Sequence, residues 1–268
     1  MLMTEETKLK LKENIETRIE ELTKELDLLG QNHKNLQISE KFSKENMLNV
    51  DFTGVRNLMN YRIFTGILTL DLSCSILSYL NAKFQYEGLF SARQIIVIIS
   101  EGYKKIYNFT YLNEKGDLVK KNRNSSFWIK EVGFLINLLP EFKSKYDSIT
   151  KNLDGYLLVN FELLKKQRDL FIHYDKEPMK VIDTLSALDI EETFKKMVPF
   201  LQILNEMSSF TSNLSQAYLE KITKNRLDFN TKLNQLEAIL LHSKMKRNHQ
   251  SFLELNEKIF KLKNYLNK

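Results

Sequence analysis

The chain has 268 residues, of which 43% are hydrophobic, and this length and apolar content suffice to bury a sizeable core. Only 8 glycines and 3 prolines are present, so the residues that punctuate strands and hairpins are scarce. The net charge of +6 is concentrated at one end, since residues 223–268 carry 10 basic and 4 acidic residues. This composition excludes a chain that is disordered throughout and predicts an all-α fold.

The apolar stretches and the single cysteine bear on localisation. After Met1-Leu2-Met3 the sequence turns at once to lysine and glutamate, so the apolar core of a signal peptide is missing. The most apolar stretch, residues 63–80, is interrupted by Asp71 and by hydroxyl residues, which argues against a membrane span. Cys74 cannot form an intrachain disulfide, and its apolar neighbours predict a small buried side chain. A cytoplasmic protein is predicted.

Three segments are predicted along the chain. Apolar residues recur at helical spacing up to Leu29, so residues 1–44 are predicted to form an N-terminal amphipathic helical arm and linker, with the helix ending at Gly30. Residues 45–222 are predicted to form the main helical domain. Residues 223–268 are predicted to form a basic C-terminal helical extension, whose last apolar residues have heptad-like spacing.

The main domain is predicted to begin with two helices and a loop. The first helix covers about residues 55–82, and its predicted buried stripe consists of Ile63, Ile67, Leu70, Cys74 and Leu77. The second covers about residues 88–109, and its centre is apolar all round, as expected of a central buried helix. Residues 113–126 are predicted to form a loop that Ser125 and Ser126 close as a helix cap.

Three further helices are predicted after this loop. One reaches Leu139, and the next covers about residues 141–174, because Pro178 disfavours helical geometry just before it. After a short loop, Asp189 and Glu192 resemble a capping box that opens the last helix of the domain.

Motifs for binding metals and phosphates are absent from the sequence. The chain has four histidines and one cysteine, with no CxxC, HExxH or paired histidine spacing. It also lacks the GxGxxG and GxxxxGK loops that surround phosphates in nucleotide-binding proteins. The sequence therefore predicts neither a metal nor a cofactor.

One short segment combines residues that are suited to chemistry. Arg168 lies in register with an apolar stripe of its predicted helix, so its guanidinium either extends to water or binds an anion or carboxylate. His173 lies near the predicted helix end, where the helix dipole favours its protonated form and proton transfer near neutral pH. A helix-capping role is the alternative for His173. A separation of five positions places the Arg168 and His173 side chains about 140° apart on an ideal helix. A shared site therefore requires either that the helix ends between them or that a second copy of the chain contributes to it.

This segment resembles the motif of the HEPN family. The sequence Arg168-Asp169-Leu170-Phe171-Ile172-His173-Tyr174 closes a long predicted helix, and a short loop and another helix follow it. Residues 87–94 and 100–107 are similar to the paired helices that precede the motif in bacterial members. The resemblance covers residues 55–221. It implies an up-and-down helical bundle that forms a homodimer and, in active members, cleaves RNA without a metal, as toxins or antiviral defence effectors do.

The resemblance also implies roles for individual residues. Arg168 would stabilise the negative charge on the scissile phosphate, and His173 would move protons at the attacking 2′-hydroxyl and the leaving oxygen. Asp169 either orients Arg168 across the dimer or repels phosphate, and Tyr174 supports the site. Glu101, on a helix expected to pack near the motif, forms either a buried ion pair or part of the site.

The partners implied are RNA, a second copy of the chain and a regulatory or antitoxin protein. Basic residues predicted to guide RNA, with a solvated surface as the alternative, are Lys120, Lys121, Arg123, Lys244, Lys246 and Arg247. Two other classes of function stay open. The chain could be a non-catalytic HEPN-like dimer that scaffolds or senses a ligand, or a structural helical protein whose terminal heptads bind a partner helix.

Overall fold

The computed structural model describes residues 5–45, 52–107, 126–162, 178–245 and 257. Within these ranges the regular elements are all helical and no strand is present, which confirms the all-α prediction. The helices are α1 (Glu5–Glu45), α2 (Thr53–Leu80), α3 (Gln85–Tyr107), α4 (Gly133–Leu138), α5 (Lys143–Glu162), α6 (Pro178–Ser186) and α7 (Ile190–Met245). A π-helical segment, Trp128–Val132, leads into α4, and a 3-10 turn, Pro140–Phe142, joins α4 to α5.

Helix α2 lies at the centre and packs against α1, α3 and α7. The prediction of which stripe of α2 is buried is wrong, because Ile67 is 46% exposed and Cys74 is also exposed. The buried face instead includes Thr65, Thr69 and Ser73, whose hydroxyls donate to carbonyl oxygens of the preceding helical turn at 2.8–3.1 Å. Because these hydroxyls are satisfied within α2, the side chains can be buried without an unpaired donor.

The length and apolar composition of α2 also meet the criterion for a membrane-crossing helix. Its most apolar 18-residue window has a mean hydropathy of 1.6, and 39% of that window is buried within the protein. It is the one helix in the described part of the chain that passes this test. The core helix of a globular protein passes as well, so the finding is weak evidence for a membrane span.

Helix α3 supplies the other central surface of the core. Ile95, Ile96 and Ile99 are fully buried, which confirms the predicted burial of this helix at its centre. Val97 and Ile98 are only partly buried and pack at the margin of the core. Trp128, from the π-helical segment, is fully buried and donates from Nε1 to the Thr150 hydroxyl of α5 at 2.9 Å.

Helix α1 does not end where the sequence predicts. It continues through Gly30 to Glu45, and no atom lies within 4 Å of the position that a Gly30 Cβ would occupy. A glycine at an open helix surface weakens the helix without terminating it. The helix packs along α2 through buried Leu22 and Leu29 and through an ion pair between Glu25 and Arg62.

Helix caps are found where the sequence predicts them, although one helix was missed. The Ser126 hydroxyl accepts a hydrogen bond from the Ile129 amide at 3.3 Å, and the Asp189 carboxylate accepts one from the Glu192 amide at 3.1 Å. The segment predicted as a short loop before Asp189 contains α6, which begins at Pro178 because proline is well tolerated in the first helical turn. Helix α7 continues past residue 222, the predicted end of the main domain.

Candidate functional site

The predicted site residues lie mostly outside the described part of the chain. Residues outside it are Arg168, Asp169, His173, Tyr174, Lys120, Lys121, Arg123, Lys246 and Arg247. Lys244 lies on α7 at a position where only the backbone is described. Glu101, on α3, is therefore the one predicted site residue with a described side chain. The meeting of Arg168 with His173 stays a prediction.

Two described helices bracket the predicted motif. Helix α5 is described as far as Glu162, six positions before Arg168, and α6 begins at Pro178, five positions after His173. The position of the motif is therefore constrained by how firmly these two helices are held.

Three tyrosines attach α5 to its neighbours. The Tyr103 and Tyr107 hydroxyls of α3 donate to the Leu153 carbonyl oxygen and to Asp154 Oδ1, each at 2.8 Å. The Tyr156 hydroxyl of α5 donates to the Lys196 carbonyl oxygen of α7 at 3.0 Å. These bonds fix α5 to both α3 and α7 over about one helical turn, residues 153–156, which lies six to nine residues before Glu162.

The aromatic rings reinforce the same attachment. The Tyr103 and Tyr156 ring centroids are 6.0 Å apart, and the Tyr156 centroid lies 5.3 Å from that of Phe200 on α7. Burial raises the pKa of Tyr156 well above its ordinary value, so its hydroxyl stays a neutral hydrogen-bond donor at physiological pH. Tyr103, Tyr107 and Tyr156 were not predicted as part of the site. The four-residue spacing of Tyr103 and Tyr107 is the sequence signal that those two share a face of α3.

Asn160 marks a local break near the end of the described part of α5. Its backbone angles, φ −111° and ψ 18°, are not helical, and its side chain is buried. Its Nδ2 donates to the Tyr156 carbonyl oxygen at 3.0 Å, whereas Oδ1 has no hydrogen-bond partner among the described residues. Leaving a buried acceptor unpaired costs free energy. Asn160 combines this cost with a non-helical backbone, so it is a further candidate for a residue that sets the direction of the chain after it.

Glu101 lies on the partly exposed side of α3, away from the face that carries Ile99 and Tyr103 into the core. The Glu101 side chain is half-buried, and the residue interacts with at least one other group. This partial burial does not decide between the two predicted roles, a buried ion pair and a supporting site residue, and both stay predictions.

Exposed apolar side chains flank the predicted motif on both sides. On α5, Leu158 is 75% exposed and Val159 is 81% exposed. On α6, Met179 is 62% exposed and Ile182 is 49% exposed. Exposed apolar side chains mark a surface for association with another protein when they form one contiguous patch.

The described residues also offer little for metal chemistry. No group of three or more His, Cys, Asp or Glu side chains in the described ranges is arranged to hold a metal ion. His33 on α1 is the one histidine with a described side chain, and it is half-buried.

Comparisons of this chain with protein-family models, with curated proteins and with solved structures find no match.

Proposed function

We propose that the chain is a metal-independent endoribonuclease of HEPN type, a toxin or phage-defence effector in which Arg168 and His173 act on the scissile phosphate. The observation that carries this proposal is the sequence of residues 168–174, at the end of a long predicted helix. The all-helical architecture of the described residues agrees with the bundle expected for this family. Metals and cofactors have no part in the proposed reaction.

In this reaction the 2′-oxygen of one ribose attacks the adjacent phosphorus, and the bond from phosphorus to the 5′-oxygen of the next nucleotide breaks. A neutral His173 would take the proton of the 2′-hydroxyl, and a protonated His173 of the partner subunit would donate a proton to the leaving 5′-oxygen. Arg168 would donate hydrogen bonds to the non-bridging oxygens, where negative charge increases. The products are a 2′,3′-cyclic phosphate and a 5′-hydroxyl.

The attachment of α5 supports the proposal, because catalytic groups act efficiently only when a rigid element positions them. The hydrogen bonds of Tyr103, Tyr107 and Tyr156 hold the helix that leads toward Arg168. We infer that Tyr107 and Asp154 are positioning residues for the motif.

The exposed apolar residues beside the motif support a dimer. Arg168 and His173 lie about 140° apart on an ideal helix, so a second copy is one way to complete the site. Leu158 and Val159 on α5 precede Arg168 by ten and nine positions, and Met179 on α6 follows His173 by six, so these exposed apolar residues are close to the motif in the sequence. We propose that this surface forms the homodimer interface.

Catalysis is tested with Arg168→Ala and His173→Ala, and His33→Ala on α1 serves as the matched histidine control. Loss of a positioned proton-transfer group lowers the rate by about 10²–10⁴-fold, so both motif variants should lose cleavage in a gel assay while the control retains it. Cleavage by the unmodified protein should survive excess EDTA and leave 2′,3′-cyclic phosphate ends. Activity that persists in both motif variants, or that EDTA removes, contradicts the proposal.

The dimer is tested by light scattering on the double variant Leu158→Asp, Val159→Asp, with Leu9→Asp on α1 as an exposed apolar control. Desolvating two carboxylates at an apolar interface is unfavourable, so the double variant should be monomeric and inactive while the control stays dimeric. A monomeric unmodified protein would rule out the composite site. A double variant that remains dimeric would place the interface elsewhere.

The basic end of the chain is proposed to contact RNA through Lys244, Lys246 and Arg247. Removing these three charges with glutamine should lower the slope of log affinity against log salt by about 2, because each contact to single-stranded RNA contributes about 0.7. Truncation at residue 222 is a poorer test, since it would cut α7 in its middle. The control changes three α1 lysines to glutamine, Lys8, Lys10 and Lys12. Equal slopes for both variants would assign the basic end to a solvated surface.

The rival proposal is a non-catalytic HEPN-like dimer that scaffolds or senses a ligand. It is favoured by Asp169, whose carboxylate would repel a phosphate placed beside Arg168. A purified dimer that neither cleaves nor binds RNA, and in which Asp169→Asn restores neither property, would establish this alternative over the ribonuclease.

A further inference from the structure

Helix α5 contains a break close to the end of its described part. At Asn160 the backbone angles, φ −111° and ψ 18°, are not helical, and Asn160 is the one residue of α5 for which this holds. Two helical segments therefore meet there, one that begins at Lys143 and one that continues to Glu162. The angles at a break set the direction of the chain that follows, and Arg168 follows Asn160 by eight positions.

The Asn160 side chain is bonded to a residue that is itself held in place. Its Nδ2 donates to the Tyr156 carbonyl oxygen at 3.0 Å. The Tyr156 hydroxyl donates to the Lys196 carbonyl oxygen of α7 at 3.0 Å, and the Tyr156 ring centroid lies 5.3 Å from that of Phe200 and 6.0 Å from that of Tyr103. The break therefore starts from a part of α5 that is attached to both α3 and α7.

Local hydrogen bonding does not require a break at this position. On α2, the Thr69 and Ser73 hydroxyls make the same kind of bond, to the carbonyl oxygen four residues earlier, within a continuous helix. Asn160 differs because it carries a second polar atom, Oδ1, which is buried and has no hydrogen-bond partner among the described residues. Leucine has nearly the same shape, forms helices better and leaves no polar atom unpaired. Asparagine at this position therefore lowers stability relative to leucine.

We propose that Asn160 is a positioning residue, which breaks α5 so that Arg168 and His173 are placed for the cleavage of RNA. Local features that lower stability are expected at functional sites, where another requirement outweighs their cost. In this role Asn160 acts through the motif residues and not by contact with the RNA. The proposal rests on the ribonuclease function and adds to it the residue that sets the direction of the motif.

The test compares Asn160→Leu with Asn160→Gly in the full chain. Leucine favours a continuous helix and removes the unpaired Oδ1, so Asn160→Leu should raise the folding equilibrium constant by about fivefold or more. Displacing a catalytic group by about 1 Å can cost about 10²-fold in rate. The same variant should therefore lose about 10²-fold in kcat on a fluorescently labelled RNA of mixed sequence, with little change in KM.

Glycine permits the break but weakens a helix. Asn160→Gly should therefore be less stable than the unmodified protein and yet keep a kcat well above that of Asn160→Leu. Activity and stability should then rank the two variants in opposite orders. A purely structural role for Asn160 predicts the same order for both.

The matched control is Asn152→Leu, because Asn152 is exposed on the same helix and its backbone is helical. This control should leave kcat unchanged. The proposal is overturned if Asn160→Leu cleaves RNA as fast as Asn152→Leu, if it is no more stable than the unmodified protein, or if Asn160→Gly is equally inactive. An unmodified protein that cleaves no RNA is a different result, which removes the proposed ribonuclease function and this role with it.

Discussion

The close packing of α2 against α3 can be tested at Gly102. A Cβ added there would lie 2.5 Å from both Leu68 methyl carbons and 3.1 Å from Leu68 Cγ. Ordinary carbon contacts are about 3.5–4.0 Å, so the two helices would have to move apart by about 1 Å, because Leu68 is buried and has little room to turn. Overpacking of this kind costs about 1–3 kcal/mol, whereas alanine gains about 1 kcal/mol over glycine in a helix interior. Gly102→Ala should therefore lower the free energy of unfolding by about 0–2 kcal/mol.

Gly155→Ala on α5 is the matched control, because no atom lies within 4 Å of its added Cβ. It should raise the free energy of unfolding by about 1 kcal/mol, since only the helix propensity changes. Urea unfolding at 25 °C should thus separate the two alanine variants by about 1–3 kcal/mol. In a Leu68→Ala background the cost of Gly102→Ala should disappear, because the clashing methyl groups are gone. A Gly102→Ala protein as stable as the Gly155→Ala protein would refute the described packing of α2 on α3.

Two surface groups give further predictions from their pKa shifts. The Glu87 carboxylate accepts hydrogen bonds from the Lys83 and Phe84 amides at 2.6 and 3.2 Å, and these bonds lower its pKa below the ordinary value of 4.5. The protein with Glu87 should therefore be more stable than the Glu87→Gln variant above pH 4.5, and this advantage should be lost as the pH falls through the lowered pKa. A difference in urea midpoint between the two proteins that stays constant from pH 7 to pH 3 would contradict this. Cys74 is exposed and should react with a maleimide in the native protein. Because partial burial and the Asp71 carboxylate raise its pKa, the midpoint of its pH–rate curve should lie at a higher pH than that of free cysteine. Asp71→Asn should move that curve to lower pH, and an unshifted curve would show that Asp71 has no influence on the thiol.

The candidate site divides into a part visible in the sequence and a part that is not. The pairing of Arg168 with His173 is a local pattern, so the sequence alone suggests it. The tyrosine attachments of α5 join residues that are 40 to 50 positions apart, such as Tyr103 with Leu153 and Tyr156 with Lys196. No local pattern shows which distant carbonyl oxygen a tyrosine hydroxyl will meet.

Three features of the fold follow from local sequence patterns: the helical class, the burial of α3 at Ile95, Ile96 and Ile99, and the cap at Asp189. These features depend on helical periodicity and on hydrogen bonds within a few residues, which the sequence contains in full. The buried face of α2, in contrast, depends on how the other helices pack around it. Apolar residues occupy most of its circumference, and the buried face includes Thr69 and Ser73 because their hydroxyls are hydrogen-bonded within α2 and leave no unpaired donor on burial. The open space between α1 and α7 has the same origin, because both helices pack on α2 and their side chains do not fill the gap between them.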